Sequence, residues 1–273
     1  MRTVRIAMCQ VRTEAERRAT FAQAEEMIRR AAEGGADLAV LPEMFFCPYV
    51  TERFREFSEP EGGPACAALA AWARQYRIVV VGGTFPERAG ERLYNTCFVY
   101  DSTGRRIAKY RKTHLFEIDL KDGTAFRESD TFTAGGELCV FDAGFARIGL
   151  AICFDLRFPE LFRAMAVRGA RVIFLPAQFN TTTGPLHWEL SLRSRAVDNE
   201  LFLVGASAAR CEDFSYACWG HSTVVDPLGT VIASCDETEQ ILWSELELAR
   251  VDTVRQQLPT FLHLRRDVYE VAR

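Results

Sequence analysis

The strongest constraint on this chain is a pattern that its two halves share. A β-rich stretch at residues 3–11 is followed at 17–33 by a segment of helical periodicity, with Phe21, Ala24, Ile28 and Ala31 on one face and Gly34-Gly35 closing it. A short apolar strand at 37–41, a helix at 64–76 and a strand at 78–82 come next. A hairpin then pairs 93–100 with 105–111 through the turn Asp101-Ser102-Thr103-Gly104. The second half repeats the order: strand 147–152, helix 159–168, strand 172–176, helix 186–199, strand 202–206, and a hairpin over 222–234 turning at Pro227-Leu228-Gly229. A strand at 241–246, a short helix and a tail follow. Residues 115–133 are polar and aperiodic, which predicts a long loop of the kind that serves as a lid.

Helices between strands need crossover connections, whereas hairpins add antiparallel strands. The pattern therefore predicts an α/β chain with two mixed sheets packed face to face and helices outside. No linker or low-complexity segment divides residues 1–273, so the chain reads as one domain.

Several partner classes are excluded early. Net charge is −4 and no basic face emerges, which argues against nucleic acid and anionic membranes. No apolar run nears membrane-spanning length, and the first arginines lead into a strand where a signal peptide needs a long apolar stretch; the expected location is the cytoplasm. Nine cysteines, odd in number and scattered, read as reduced thiols. With no Cys-x-x-Cys and four dispersed histidines, no metal site is expected.

Three strands end in reactive side chains. Cys153 ends the apolar run Ile148-Gly149-Leu150-Ala151-Ile152, and the residues after it turn into a helix, the layout of a nucleophile elbow. Glu43 follows the strand Leu38-Ala39-Val40-Leu41 directly after Pro42, where burial makes a carboxylate costly. Lys112 closes the hairpin strand. Each alone has a plain alternative: a small buried thiol, a loop glutamate, a solvated lysine. Ligands of α/β sheets sit beyond strand carboxyl ends, so together the three supply a nucleophile, a base and a cation for an oxyanion.

These strand ends lie in segments that resemble the signatures of the nitrilase superfamily of carbon–nitrogen hydrolases: Leu41-Pro42-Glu43, Tyr110-Arg111-Lys112-Thr113-His114-Leu115 and Ile152-Cys153-Phe154-Asp155-Leu156-Arg157-Phe158-Pro159-Glu160. The likeness runs through essentially the whole chain in the family's order. It implies a four-layer αββα sandwich, a Glu43–Lys112–Cys153 triad, and a homodimer or higher homo-oligomer. The segments His114-Leu115-Phe116-Glu117-Ile118-Asp119, Phe179-Asn180-Thr181-Thr182-Thr183-Gly184-Pro185 and Ala217-Cys218-Trp219-Gly220-His221-Ser222 resemble the omega-amidase branch. That branch hydrolyses the terminal amide of 2-oxoglutaramate and 2-oxosuccinamate. Phe154 stands where a tyrosine is common, and Gln178 where a small residue is common; both departures bear on the pocket and leave the triad intact.

The resemblance implies a thioester mechanism. A free thiol has a pKa of about 8.5, so Glu43 would take the Cys153 proton, and the oxyanion would meet Lys112 and the backbone N–H of Phe154. Glu128 resembles the family's auxiliary glutamate. Tyr49, His114, Phe116, Arg157, Gln178 and Thr181, with Thr182 and Thr183 after it, lie on segments that line the expected pocket for a small amide. Such a reaction needs no cofactor. Competing readings keep the chemistry with deaminated glutathione or an N-carbamoyl compound as substrate. Others make the chain a silent binding protein, which the intact triad argues against, or a thiol redox sensor.

Overall fold

The computed structural model describes residues 3–119 and 125–269. In chain order the strands are β1 (Thr3–Gln10), β2 (Leu38–Val40), β3 (Glu59–Pro60), β4 (Val79–Val81), β5 (Phe85–Ala89), β6 (Arg92–Tyr100), β7 (Arg106–Arg111), β8 (Glu117–Asp119), β9 (Ala125–Arg127), β10 (Cys139–Asp142), β11 (Arg147–Leu150), β12 (Val172–Ala177), β13 (Phe202–Ser207), β14 (Thr223–Val225), β15 (Val231–Ser234) and β16 (Gln240–Glu247). The helices are α1 (Arg17–Glu33), α2 (Thr51–Glu56), α3 (Pro64–Tyr76), α4 (Pro159–Val167), α5 (Gly184–Asn199) and α6 (Ala249–Gln257).

The shared pattern becomes two mixed sheets. The first runs β16-β1-β2-β4-β6-β5-β3, with β7 also paired to β6, and the second runs β10-β11-β12-β13-β14-β15. The crossover helices make β1, β2 and β4 parallel in one sheet and β11, β12 and β13 parallel in the other. The hairpins β6–β7 and β14–β15 add the antiparallel strands. β16, from the end of the second half, pairs antiparallel with β1 from Thr3↔Glu247 to Gln10↔Gln240, which ties the halves into one unit.

Period-two alternation assigns each sheet face to a core. Val4, Ile6 and Met8 of β1 and Leu38 and Val40 of β2 join a core shared with Ile148, Leu150, Val172 and Phe174 of the second sheet. The intervening Ala7, Cys9 and Ala39 join a second core with Ala24 and Ile28 of α1 and Leu69 and Trp72 of α3. Across the second sheet, Gly149 lies against Met165 of α4 and Gly205 against Trp188 of α5, so helices close that outer face too. The result is the αββα sandwich.

Two readings need correction. Residues 115–133 are not a plain loop. They carry the β8–β9 hairpin, in register Glu117↔Arg127, and a 3-10 turn at Glu128–Asp130, while 120–124 lie outside the described residues. Three-residue strands are too short to show a period; stacking of Phe116 on Phe126 and a 2.9 Å hydrogen bond from the Glu128 N–H to the Phe116 carbonyl hold them. The short strands β3, β5 and β10 were also missed. β3 and β5 contain Pro60 and Pro86, and a proline inside a short run weakens the strand signal.

Candidate active site

Because the sheets pack face to face, the carboxyl ends of β2, β7, β11 and β12 converge, and the residues following them are Glu43, Lys112, Cys153 and Gln178. Close backbone packing locks two of these ends. A Cβ on Gly83, whose φ is +57°, would lie 2.2 Å from the Pro42 carbonyl oxygen, just before Glu43. A Cβ on Gly135 would lie 2.2 Å from the Arg111 carbonyl oxygen, just before Lys112.

The elbow is real and strained. Cys153 has φ 43°, and Met44 beside Glu43 has φ 47°; non-glycine residues in such regions cost about 1–3 kcal/mol each. Asp155 offsets that cost. One of its oxygens accepts the Ile152 N–H and the Tyr110 hydroxyl, both at 2.8 Å, and the other accepts the His114 N–H at 3.0 Å and lies 2.7 Å from His114 Nδ1. Asp155 thus fastens the elbow to the segment that carries Lys112. The 3-10 turn at Cys153–Arg157 puts the Phe154 N–H in its first turn, without an acceptor inside the turn.

Glu43, Lys112 and Glu128 are 0% exposed. Lys112 Nζ is 2.9 Å from Glu43 Oε1 and 2.8 Å from Glu128 Oε2. Asn95 Nδ2 donates to both carboxylates, at 2.8 Å and 3.0 Å. The Phe116 N–H donates to Glu128 at 2.7 Å. Gln178 holds Glu43 twice: its N–H donates to Oε2 at 3.1 Å and its Nε2 to the Glu43 carbonyl at 2.7 Å. The Cys153 thiol donates to the Gln178 carbonyl at 3.6 Å.

Charge here is unbalanced, with one ammonium serving two carboxylates. Burial raises Glu43 above the ordinary carboxylate value; Lys112 opposes this, and Glu128 adds to it. Burial works against the Lys112 charge, but the fields of Glu128 and Glu43 override it and raise the group, so it stays an ammonium. Burial and then Glu43 push the Cys153 thiol well up, so it rests protonated. The arrangement is a neutral thiol facing a carboxylate made more basic than usual, with a fixed cation beside them. It can transfer the thiol proton as a new bond forms and stabilise a developing oxyanion.

A small cavity opens over the thiol, with Phe116, Phe154, Arg157, Gln178, Thr183 and Tyr216 in its wall. The Arg157 guanidinium lies over the rings of Phe154 and Phe179 at 5.7 Å and 5.4 Å, and its Nη1 is 3.2 Å from His187 Nδ1. No carboxylate among the described residues pairs with it. Among those residues there is also no cluster of three or more His, Cys, Asp or Glu side chains placed to hold a metal.

The structure thus brings Glu43, Lys112, Glu128, Cys153, Phe154, Phe116, Arg157 and Gln178 together. The other expected pocket residues sit elsewhere. His114 is drawn to Asp155 and stacks on Phe158 at 3.6 Å, supporting the elbow. Thr181 is exposed, and Thr183 reaches the cavity in its place because Thr181–Thr183 form a turn before α5. Tyr49 lies behind the cavity, its ring tilted against that of Tyr216 with centroids 4.7 Å apart. Sequence reasoning missed Asn95, Asp155 and Tyr216. For Asn95 there was a signal: an amide in an otherwise apolar strand interior, where a buried polar group needs partners.

Comparison with known proteins places this arrangement in context. The profile of the carbon–nitrogen hydrolase family matches residues 5–256. The chain is 42% identical over 271 residues to omega-amidase NIT2 of Homo sapiens, covering 99% of this chain and 98% of that protein. It is 40% identical over 271 residues to the chloroplastic omega-amidase of Arabidopsis thaliana, covering 97% and 73%. The crystal structure of Saccharomyces cerevisiae Nit3, a member of branch 10 of the nitrilase superfamily, superposes with a TM-score of 0.88 at 36% identity, over 97% of this chain and 96% of that one.

Proposed function

Since the chain belongs to the carbon–nitrogen hydrolase family and is an amidase, we propose that Cys153 attacks the terminal amide of a short 2-oxo acid amide of the 2-oxoglutaramate or 2-oxosuccinamate kind. Glu43 accepts the thiol proton and passes it to the departing nitrogen, which leaves as ammonia. The tetrahedral oxyanion meets the Lys112 ammonium and the Phe154 N–H; one such donor is worth about 3 kcal/mol. The thioester left on Cys153 is hydrolysed by a water that Glu43 deprotonates, and the thiol returns. Glu128 and Asn95 hold Lys112 and Glu43 in register and need not touch substrate.

The observation that carries this reading is the buried, hydrogen-bonded group of Glu43, Lys112 and Glu128 facing the Cys153 thiol. The substrate's far carboxylate goes to Arg157, an arginine in the cavity wall with no carboxylate partner among the described residues. Leu186, Leu190 and Val197 form an apolar stripe on α5, at 65%, 67% and 48% exposure, which supports pairing of two copies. Among the described residues no helix is long and apolar enough to cross a membrane, and all nine cysteines are free, which suits a reducing cytoplasm.

A panel of amides with ammonia as readout tests the substrate class. The expected order is 2-oxoglutaramate and 2-oxosuccinamate first, then N-carbamoyl compounds and deaminated glutathione. In Arg157→Ala, KM for 2-oxoglutaramate should rise by about tenfold or more while a neutral amide of equal length is unaffected. Equal turnover of all the amides would remove the omega-amidase reading.

A further inference from the structure

A second cavity lies behind the first. Gln178 and Tyr216 belong to the walls of both, and the rear wall adds Tyr49, Ala209, Cys211 and Cys218. The Tyr216 hydroxyl donates to the Gln178 carbonyl at 2.6 Å, the same oxygen that accepts the Cys153 thiol, so this pair partitions the two spaces. Phe214 and Cys211 of the wall belong to an irregular segment whose Glu212, Asp213 and Ser215 are exposed, which puts solvent one residue away.

One polar group in the rear wall is unexplained. The Tyr49 hydroxyl is buried and has no hydrogen-bond partner among the described residues. An orphaned buried hydroxyl is costly and is commonly satisfied by an ordered water. Burial, followed by the charges of Glu128, Glu43 and Cys153, holds this phenol well above its ordinary pKa, so it stays an O–H able to donate to a water.

The mechanism creates a need for such a place. Once Cys153 is acylated, the acyl chain fills the front cavity with its carboxylate on Arg157, and water must arrive another way. We propose that the rear cavity delivers the hydrolytic water, with the Tyr49 hydroxyl as its last hydrogen-bonding station before Glu43. This rests on the thioester reading above. The water's oxygen bonds to the thioester carbon, its proton goes to Glu43, and as the C–S bond breaks that proton passes to the departing sulfur. Product acid and free thiol result, with no other reactant. Tyr49 is therefore a positioning residue for the second half-reaction, and the first half-reaction does not call on it.

The test follows both half-reactions in one rapid-quench experiment, using whichever amide the wild-type protein hydrolyses fastest. Ammonia reports acylation, and intact mass reports the fraction of Cys153 held as thioester. In Tyr49→Phe the ammonia burst rate should stay within threefold of wild type, steady turnover should fall by tenfold or more, and thioester occupancy should climb toward completion. Ala209→Leu, which fills the rear cavity away from the thiol, should shift occupancy in the same direction; thermal melts identify a variant that has lost its fold. If burst and steady rate fell together in Tyr49→Phe, or if its thioester occupancy stayed at the wild-type level, the rear-cavity proposal would be overturned. A wild-type protein that released no ammonia from any amide would instead remove the functional reading itself.

Discussion

Two buried glutamates flank the end of β7, and they are built for different work. Glu87, on β5, receives Arg111 through Nε at 2.9 Å and Nη2 at 2.8 Å, Lys109 at 2.5 Å and the Thr96 hydroxyl at 2.7 Å. Glu43 shares Lys112 with Glu128. Burial pushes Glu87 upward, but its hydrogen bonds to Arg111, Lys109 and Thr96 override burial and hold it at about 2. For Glu43 burial wins and the group is raised. Two cations converge on Glu87, with Lys109 also reaching the exposed Glu61, and make a structural clamp; one cation shared by two fully buried acids makes a base that is ready to take a proton. Arg111 and Lys112 are adjacent, and strand geometry sends neighbours to opposite sides, so a single strand end serves both acids.

Paired substitutions give the largest expected effects and would break the comparison if they came out alike. Glu43→Gln should lower kcat/KM by about 10⁴-fold or more while the fold stays intact, because Lys112 keeps Glu128. Glu87→Gln should leave turnover within a few-fold of wild type but cost about 1–3 kcal/mol of stability, since Arg111 loses its acid while Lys109 keeps Glu61. Ammonia release and denaturant melts on both variants measure this. Similar activity losses in the two would make the distinction between clamp and base untenable.

A smaller effect sharpens the comparison through pH. Glu87 is depressed in the folded chain, so its stabilisation is present above the unfolded carboxylate value and is lost as pH falls from about 5 toward 2. Wild type should therefore lose about 1–2 kcal/mol more than Glu87→Gln over that window, solvent screening of the part-exposed Arg111 and Lys109 keeping the effect below the full shift. Glu43 is raised and must be ionised to act, so kcat/KM should climb with pH through a midpoint above the ordinary carboxylate range. An acid limb at or below that range would contradict the assignment of Glu43 as base.

Much of this was legible in the sequence for physical reasons. Crossover helices and hairpins leave strong periodic signals, which is why the sandwich and the strand ends carrying Glu43, Lys112 and Cys153 could be read. What was hidden depends on contacts between the sheets. Asn95 reaches Glu43 and Glu128 from 52 and 33 residues away, and Asp155 reaches His114 from 41; no local pattern encodes such pairings. His114 was assigned to the pocket because its neighbours are, yet its ring turns toward Asp155. Thr181 and Thr183 share one turn, and only the start of α5 decides which faces inward. The short strands β8 and β9 lie below the length at which alternation can be read.

The account stands on covalent catalysis by Cys153, and intact-mass analysis of rapidly quenched protein tests it most directly. Wild type mixed with 2-oxoglutaramate should gain the acyl mass at Cys153, in a form released by hydroxylamine, and Cys153→Ala should show neither that adduct nor ammonia release while remaining folded. Ammonia release by Cys153→Ala, or an acyl adduct mapped to another of the nine cysteines, would contradict it.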